Sequence, residues 1–302
     1  MGGNMEIEKV GIVGCGTMGA GIAQLALEAG YRVTVRETDE ALLAKGVGRV
    51  RKGIERLCEK GALGAADRDR MVAGLTGTTA FADLADCDLI VEAVFEDMRA
   101  KTAVFREVGA VCKNTAILAS NTSSLSITEM AVATKREGNF LGLHFFNPVG
   151  SMPLVEIVRT MATRREVVDT ATGFVRSLKK QAILAKDAAG FIVNRLLTPY
   201  LLDAIRTAGE GVASIEDIDM GMKLGCNHPM GPLMLADFIG LDVLSSAADI
   251  LFDEYKDKRY AAPPALKRMV LLGFLGLKSG KGFYDWSDRG NPKPVELTSG
   301  GA

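Results

Sequence analysis

Histidine is scarce. Only His144 and His228 occur in 302 residues, too few for a histidine-rich metal cluster, so no bound metal is expected. The five cysteines, Cys15, Cys58, Cys87, Cys112 and Cys226, are odd in number, scattered and never spaced as CxxC. That pattern fits reduced thiols better than disulfides or a zinc site. An excess of one charge is also lacking. With 36 Lys and Arg against 37 Asp and Glu, the formal net charge of -1 provides no field to hold a polyanion, and nucleic acid is not an expected partner. No uninterrupted apolar run reaches the roughly 18 residues that span a bilayer, so no membrane association is expected. The opening MGGNMEIEKV lacks the regions of a secretory signal, and Glu6 stands where N-myristoylation wants Ser or Thr. These absences make a cytoplasmic enzyme the expectation.

What is present is an ordinary globular composition, 48% hydrophobic and 24% charged, at a length that predicts about two domains. No tandem repeat or low-complexity segment interrupts it, and only the tail after Gly290 reads as frayed. The first half alternates buried strands, at Ile7 to Val13, Arg32 to Val35, Leu89 to Ala93, Ile117 to Ser120 and Phe140 to His144, with amphipathic helices. The helices fall at Met18 to Ala29, Asp39 to Lys60 and Arg99 to Val111. A strand at Leu154 to Arg159, a helix at Arg165 to Leu178 and a strand at Gln181 to Ala185 extend the pattern. From about Ala188 strands cease and helices are expected at Phe191 to Ala208, Ser214 to Leu224, Pro232 to Phe252 and Ala265 to Leu272. The boundary is therefore placed between residues 1–187 and 188–302.

Between the first strand and first helix, Gly14, Gly16 and Gly19 form GxGxxG, with Thr17 and Met18 inside the turn. The first glycine permits the tight turn, the second lets a pyrophosphate approach the backbone, and the third lets helix and strand pack closely. The fold class is thus α/β, a Rossmann-like doubly wound sheet followed by an all-helical C-terminal domain. The acid expected about 20 positions on is Glu37, whose carboxylate would accept from the ribose hydroxyls and repel a 2′-phosphate. NAD is accordingly the expected cofactor. Arg36 beside it could instead accommodate the phosphate, although neighbouring strand side chains point to opposite faces.

A nicotinamide cofactor needs a group to take the substrate's proton, and histidine suits neutral pH. His144 closes a strand at the carboxyl edge of the sheet, where ligands of such folds bind. If the connection containing Pro148, Gly150 and Pro153 reverses the chain, Glu156 can hydrogen-bond one ring nitrogen of His144. The bland alternative is a structural histidine at a strand end. His228, in Asn227-His-Pro-Met-Gly-Pro232, reads as a turn residue before a helix. A polar cluster, Ser120-Asn-Thr-Ser-Ser124, follows another strand at the same edge and offers donors to a substrate oxygen. Alternatively, Ser124 or Ser126 merely caps a helix from Ile127 onward.

Together, Gly14-Cys-Gly-Thr-Met-Gly19, Asn121-Thr-Ser-Ser-Leu125, His144-Phe-Phe-Asn-Pro-Val149, Gly190-Phe-Ile-Val-Asn-Arg-Leu196 and Pro229-Met-Gly-Pro232 resemble the L-3-hydroxyacyl-CoA dehydrogenase family. The resemblance runs over nearly the whole chain and is strongest to stand-alone bacterial 3-hydroxybutyryl-CoA dehydrogenases. It implies that His144 is the catalytic base and Glu156 its partner, and that Ser123 and Asn194 bind the substrate's reacting end. It also implies that Glu96, Lys101, Ser123, Asn147 and Lys278 line the cofactor site, and that the helical domain builds a homodimer. Gly280-Lys-Gly-Phe-Tyr284 resembles the family's closing motif.

Lys45, Arg49, Lys52, Arg56 and Lys60 recur every three or four residues and make a basic stripe on one helix face. Such a stripe suits the phosphates of coenzyme A, or is simply solvated; the family resemblance selects Lys60. The reading is a reversible NAD-dependent oxidation of an L-3-hydroxyacyl-CoA, of short chain, to the 3-oxoacyl-CoA. Its rivals are a dehydrogenase of a free hydroxy acid on the same fold and a catalytically silent NAD-binding protein.

Overall fold

Short apolar runs rich in Val, Ile and Leu build the sheet that carries the site. In the computed structural model, which describes residues 6–295, the chain begins with strand β1 (Lys9–Val13), helix α1 (Thr17–Glu28), β2 (Arg32–Arg36) and α2 (Glu40–Glu59). Expectations drawn from residues 1–5, and for the tail beyond Val295, lie outside the described residues. Helix α3 (Ala65–Ala73), β3 (Leu75–Thr78), β4 (Leu89–Glu92), α4 (Met98–Val111) and β5 (Ile117–Ser120) follow. Then come α5 (Ile127–Thr134), β6 (Phe140–Phe145), β7 (Leu154–Arg159), α6 (Arg165–Ser177) and β8 (Gln181–Lys186). The strands form one sheet in the order β3-β2-β1-β4-β5-β6-β7-β8. All neighbouring pairs are parallel except β6 with β7. The order reverses direction between β1 and β4, which opens a ligand crevice at their carboxyl ends.

Helix α2 shows why these segments fold as they do. The Asp39 side chain accepts from the Leu42 amide at 2.8 Å and starts the helix. Leu43, Gly46, Val50 and Ile54 form the buried face, while the basic stripe lies on the exposed one. Val50 and Ile54 are almost completely buried, each contributing roughly 1.5–3 kcal/mol. Gly46 is required there, because a Cβ would sit 2.6 Å from that of Cys15.

A first compact unit ends at Phe191 and a second begins at Ile192. The second comprises α7 (Val193–Gly209), α8 (Ile215–Gly225), α9 (Pro232–Ile239), α10 (Leu241–Tyr255) and α11 (Pro264–Leu271). Ser214 caps α8 by accepting from the Asp217 amide at 3.0 Å. The expectation of one helix over Pro232 to Phe252 is corrected: Gly240, at φ +100, breaks it into α9 and α10. Nor do strands cease entirely, since β9 (Tyr284–Asp285) pairs with β10 (Lys293–Pro294). Buried Asp237 organises this end. Its carboxylate accepts from the Phe283 and Tyr284 amides and from Trp286 Nε1 at 2.8–2.9 Å. Burial pushes the Asp237 carboxyl above the usual range, although these donors pull it down.

Candidate active site

The glycine-rich turn is built for a dinucleotide. Gly14 adopts φ +90, and its amide donates to the Arg36 carbonyl at 2.9 Å, tying the turn to β2. A Cβ on Gly19 would lie 1.9 Å from the Gly14 carbonyl oxygen, whereas one on Gly16 would meet nothing within 4 Å. Gly16 therefore faces open space at the start of α1, whose first turn has no side-chain cap. Thr17 is exposed and Met18 half-buried there. An uncapped helix amino terminus facing a side-chain-free cradle fits a pyrophosphate.

Glu37 leaves β2 beside this turn, and its Oε1 accepts from the Cys15 amide at 2.5 Å. The acid thus braces the glycine turn. Arg36 is engaged elsewhere: its guanidinium lies 3.9 Å from the Phe81 ring centroid, and its Nε donates to the Thr79 carbonyl at 3.2 Å. Arg49 reaches back from the basic stripe to the Cys15 carbonyl at 3.4 Å, a contact that the sequence reading did not assign.

Across the crevice, β4 ends in Glu92, which is fully buried beside equally buried Lys101. Lys101 Nζ lies 2.7 Å from Glu92 and 3.2 Å from Glu96. Glu96 Oε1 in turn accepts from Thr122 Oγ1 at 2.5 Å and from the Ser123 amide at 3.0 Å. Burial raises the Glu96 carboxyl, but Lys101 and these hydrogen bonds outweigh it and hold it below the usual range. Ser126 is the residue that caps α5, accepting from Glu129 at 3.3 Å, and Asp187 binds the Ile127 and Thr128 amides. The capping alternative thus holds for Ser126 and not for Ser124.

On the next strand, antiparallel pairing places His144 directly opposite Glu156. His144 Nδ1 and Glu156 Oε2 are 2.6 Å apart, with both residues buried. The rings of Phe146 and Phe191 flank the imidazole at centroid distances of 4.4 and 5.7 Å. Asn121 ties the serine-bearing turn to this strand by accepting from the Phe145 amide at 2.9 Å. Asn147 is exposed just beyond, at a cis Asn147-Pro148 bond.

The first unit thus gathers the glycine turn, Glu37, Glu96, Lys101, Ser123 and His144 with Glu156 at one edge of its sheet. Lys60 is exposed at the end of α2. Asn194 and Lys278 belong to the second unit, Asn194 in the first turn of α7 and Lys278 paired with Asp242 at 2.5 Å. His228 is more than a turn residue, since its Nδ1 lies 3.0 Å from the Tyr200 hydroxyl. No group of side chains suited to a metal occurs among the described residues, and no helix there is long and apolar enough to cross a membrane.

Residues 9–188 match the family described as 3-hydroxyacyl-CoA dehydrogenase, NAD binding domain, and residues 190–286 match its C-terminal domain. A 3-hydroxybutyryl-CoA dehydrogenase of Mycobacterium tuberculosis is 47% identical over 282 residues, 93% of this chain and 99% of that protein. The mitochondrial hydroxyacyl-coenzyme A dehydrogenase of Rattus norvegicus is 39% identical, with 93% and 91% covered. Among solved structures, (S)-3-hydroxybutyryl-CoA dehydrogenase PaaH1 from Ralstonia eutropha superposes with a TM-score of 0.90 at 41% identity, covering 94% of this chain and 100% of that one. With both domains matched in order, the chain belongs to the 3-hydroxyacyl-CoA dehydrogenase family of NAD-dependent oxidoreductases.

Proposed function

We propose that the protein interconverts an L-3-hydroxyacyl-CoA of short acyl chain, such as 3-hydroxybutyryl-CoA, and the corresponding 3-oxoacyl-CoA. The observation that carries this reading is the buried His144–Glu156 pair, 2.6 Å apart, at the carboxyl edge of an NAD-binding sheet. NAD, when bound, supplies the acceptor for the hydride that leaves C3. With Nδ1 donating to Glu156, the Nε2 lone pair of His144 takes the hydroxyl proton, and in the reverse direction the imidazolium returns it. Glu156 fixes the tautomer and stabilises the imidazolium, while Phe146 and Phe191 limit competing water around the ring.

Ser123 and Asn194 are assigned to the reacting oxygens. Gly14, Gly16, Thr17, Met18, Gly19, Glu37, Glu96, Lys101, Ser123, Asn147 and Lys278 are assigned to the cofactor. Lys60 is the candidate for a coenzyme A phosphate, and the names of the relatives support the thioester as substrate. The test is NADH oxidation with acetoacetyl-CoA, compared with longer 3-oxoacyl-CoAs and free acetoacetate. His144→Gln should lower turnover about 100-fold or more while NADH binding persists. Equal turnover of free acetoacetate would refute the substrate class, and near-normal turnover of His144→Gln would refute the base.

A further inference from the structure

The structure assigns to Glu92 the task of positioning Ser123, an inference that rests on the role just proposed for that serine. Glu92 is the last residue of β4 and is fully buried. Both of its carboxylate oxygens are engaged. Oε1 accepts from the Val94 amide and from Lys101 Nζ, each at 2.7 Å, and Oε2 accepts from Ser120 Oγ at 2.6 Å. Two routes lead from these oxygens to the same turn. In one, Ser120 Oγ accepts from the Thr122 amide at 3.2 Å. In the other, Lys101 holds Glu96 at 3.2 Å, and Glu96 Oε1 accepts from the Ser123 amide at 3.0 Å and the Ser123 hydroxyl at 3.3 Å. The backbone closes the ring, because the Asn121 amide donates to the Glu92 carbonyl at 2.8 Å.

Packing alone does not call for this arrangement. A buried ion pair costs desolvation that an apolar side chain at the end of β4 would avoid, and such pairs are often replaceable without loss of stability. What the carboxylate does, and an apolar residue could not, is couple β4, α4 and the turn after β5 through directional bonds. Glu92 touches neither substrate nor cofactor in this scheme. It acts through Lys101, Glu96 and Ser120 to fix where the Ser123 hydroxyl stands.

A double-mutant cycle on the full chain tests it. In Glu92→Gln a neutral amide replaces the carboxylate and cannot serve both the ammonium and the Ser120 hydroxyl as acceptors. Turnover should fall about 10-fold or more, since small misplacements of a positioning group are costly. In the Ser123→Ala background the same change should cost less than about 3-fold, because the hydroxyl it positions is gone. Should Glu92→Gln not fold, Ser120→Ala keeps the ion pair, cuts one route and enters the same cycle. Full activity of Ser123→Ala would remove that serine from the reaction and overturn the proposal with that part of the functional reading. An impaired Ser123→Ala in which the Glu92 or Ser120 change costs as much as in the unmodified enzyme would overturn the positioning role alone. So would an unimpaired Glu92→Gln.

Discussion

Gly16→Ala and Gly19→Ala should separate binding from folding within a single turn. The new methyl at Gly16 meets nothing within 4 Å, and the backbone there, at φ -67 and ψ -158, is extended and open to alanine. Stability should change by less than about 1 kcal/mol, with a slight gain from the stiffer unfolded chain. The methyl would occupy the space a pyrophosphate needs, displacing it from amides whose hydrogen bonds to a charged group are worth about 1.5–3 kcal/mol. That loss corresponds to a roughly 10- to 150-fold weaker Kd for NADH. At Gly19 the expectation inverts. A methyl 1.9 Å from the Gly14 carbonyl oxygen must push backbone against backbone, since no flexible side chain can give way. Overpacking of this kind costs about 1–3 kcal/mol, or roughly 2–12 °C in Tm for a unit of this size. Thermal unfolding without cofactor and fluorescence titration with NADH measure the two effects. A Gly16→Ala protein that binds NADH normally, or a Gly19→Ala protein with an unchanged Tm, would refute the assignment.

Burial pushes the Cys15 and Cys87 thiols up to about 12, so iodoacetamide at pH 8 should label exposed Cys226 well before either; rapid modification of Cys15, read by mass spectrometry, would contradict the packing of the glycine turn. Asp237→Ala orphans three buried donors and should destabilise the second unit by about 3–5 kcal/mol. Trp286 is the sole tryptophan, so intrinsic fluorescence reports that unfolding directly, and an unchanged midpoint would dismiss the carboxylate as an organiser. Glu37→Ser should raise the KM for NADH and relax discrimination against NADPH, with kcat little changed because the ribose is remote from the hydride. Equal use of NADH and NADPH by the unmodified enzyme would show that the Arg36 contact with Phe81 gives way to a 2′-phosphate. Residues 188–302 are proposed to build a homodimer, and a monomeric mass by light scattering at micromolar concentration would count against it.

Among the strands that the sequence revealed, β4, β5 and β6 are buried throughout, where an uninterrupted apolar run is obligatory; the edge strand β8 was legible from its apolar stretch Ala-Ile-Leu-Ala despite its exposure. Strand β3, at the opposite edge, escaped because Leu-Thr-Gly-Thr offers a single large apolar side chain and two exposed residues, too little for a strand signal. Helix α3 escaped for a related reason: Met71 is its only buried residue, so its charged sequence has almost no apolar period to detect. The break at Gly240 was visible as a glycine inside an apolar stretch, but periodicity alone cannot tell a tolerated helical glycine from one at positive φ.

The site divides along the same line. The glycine turn and the pair His144 and Glu156 lie close in sequence, and each could be placed by local chemistry and one chain reversal. Glu92, Asn121 and Arg49 act through partners that only the sheet register or helix packing supplies. A signal for Glu92 did exist, namely a carboxylate at the end of Leu-Ile-Val-Glu, where burial without a partner would be prohibitive. That argument demands a cation, and Lys9 on the neighbouring strand β1 and Lys101 and Lys113 downstream are all candidates. The fold decides among them: Lys9 goes to Asp86, Lys113 to Asp88, and Lys101, one turn into α4, is the ammonium that turns inward to Glu92. Sequence chemistry therefore states that a buried acid must be paired, and the direction of the helix that follows it chooses the partner.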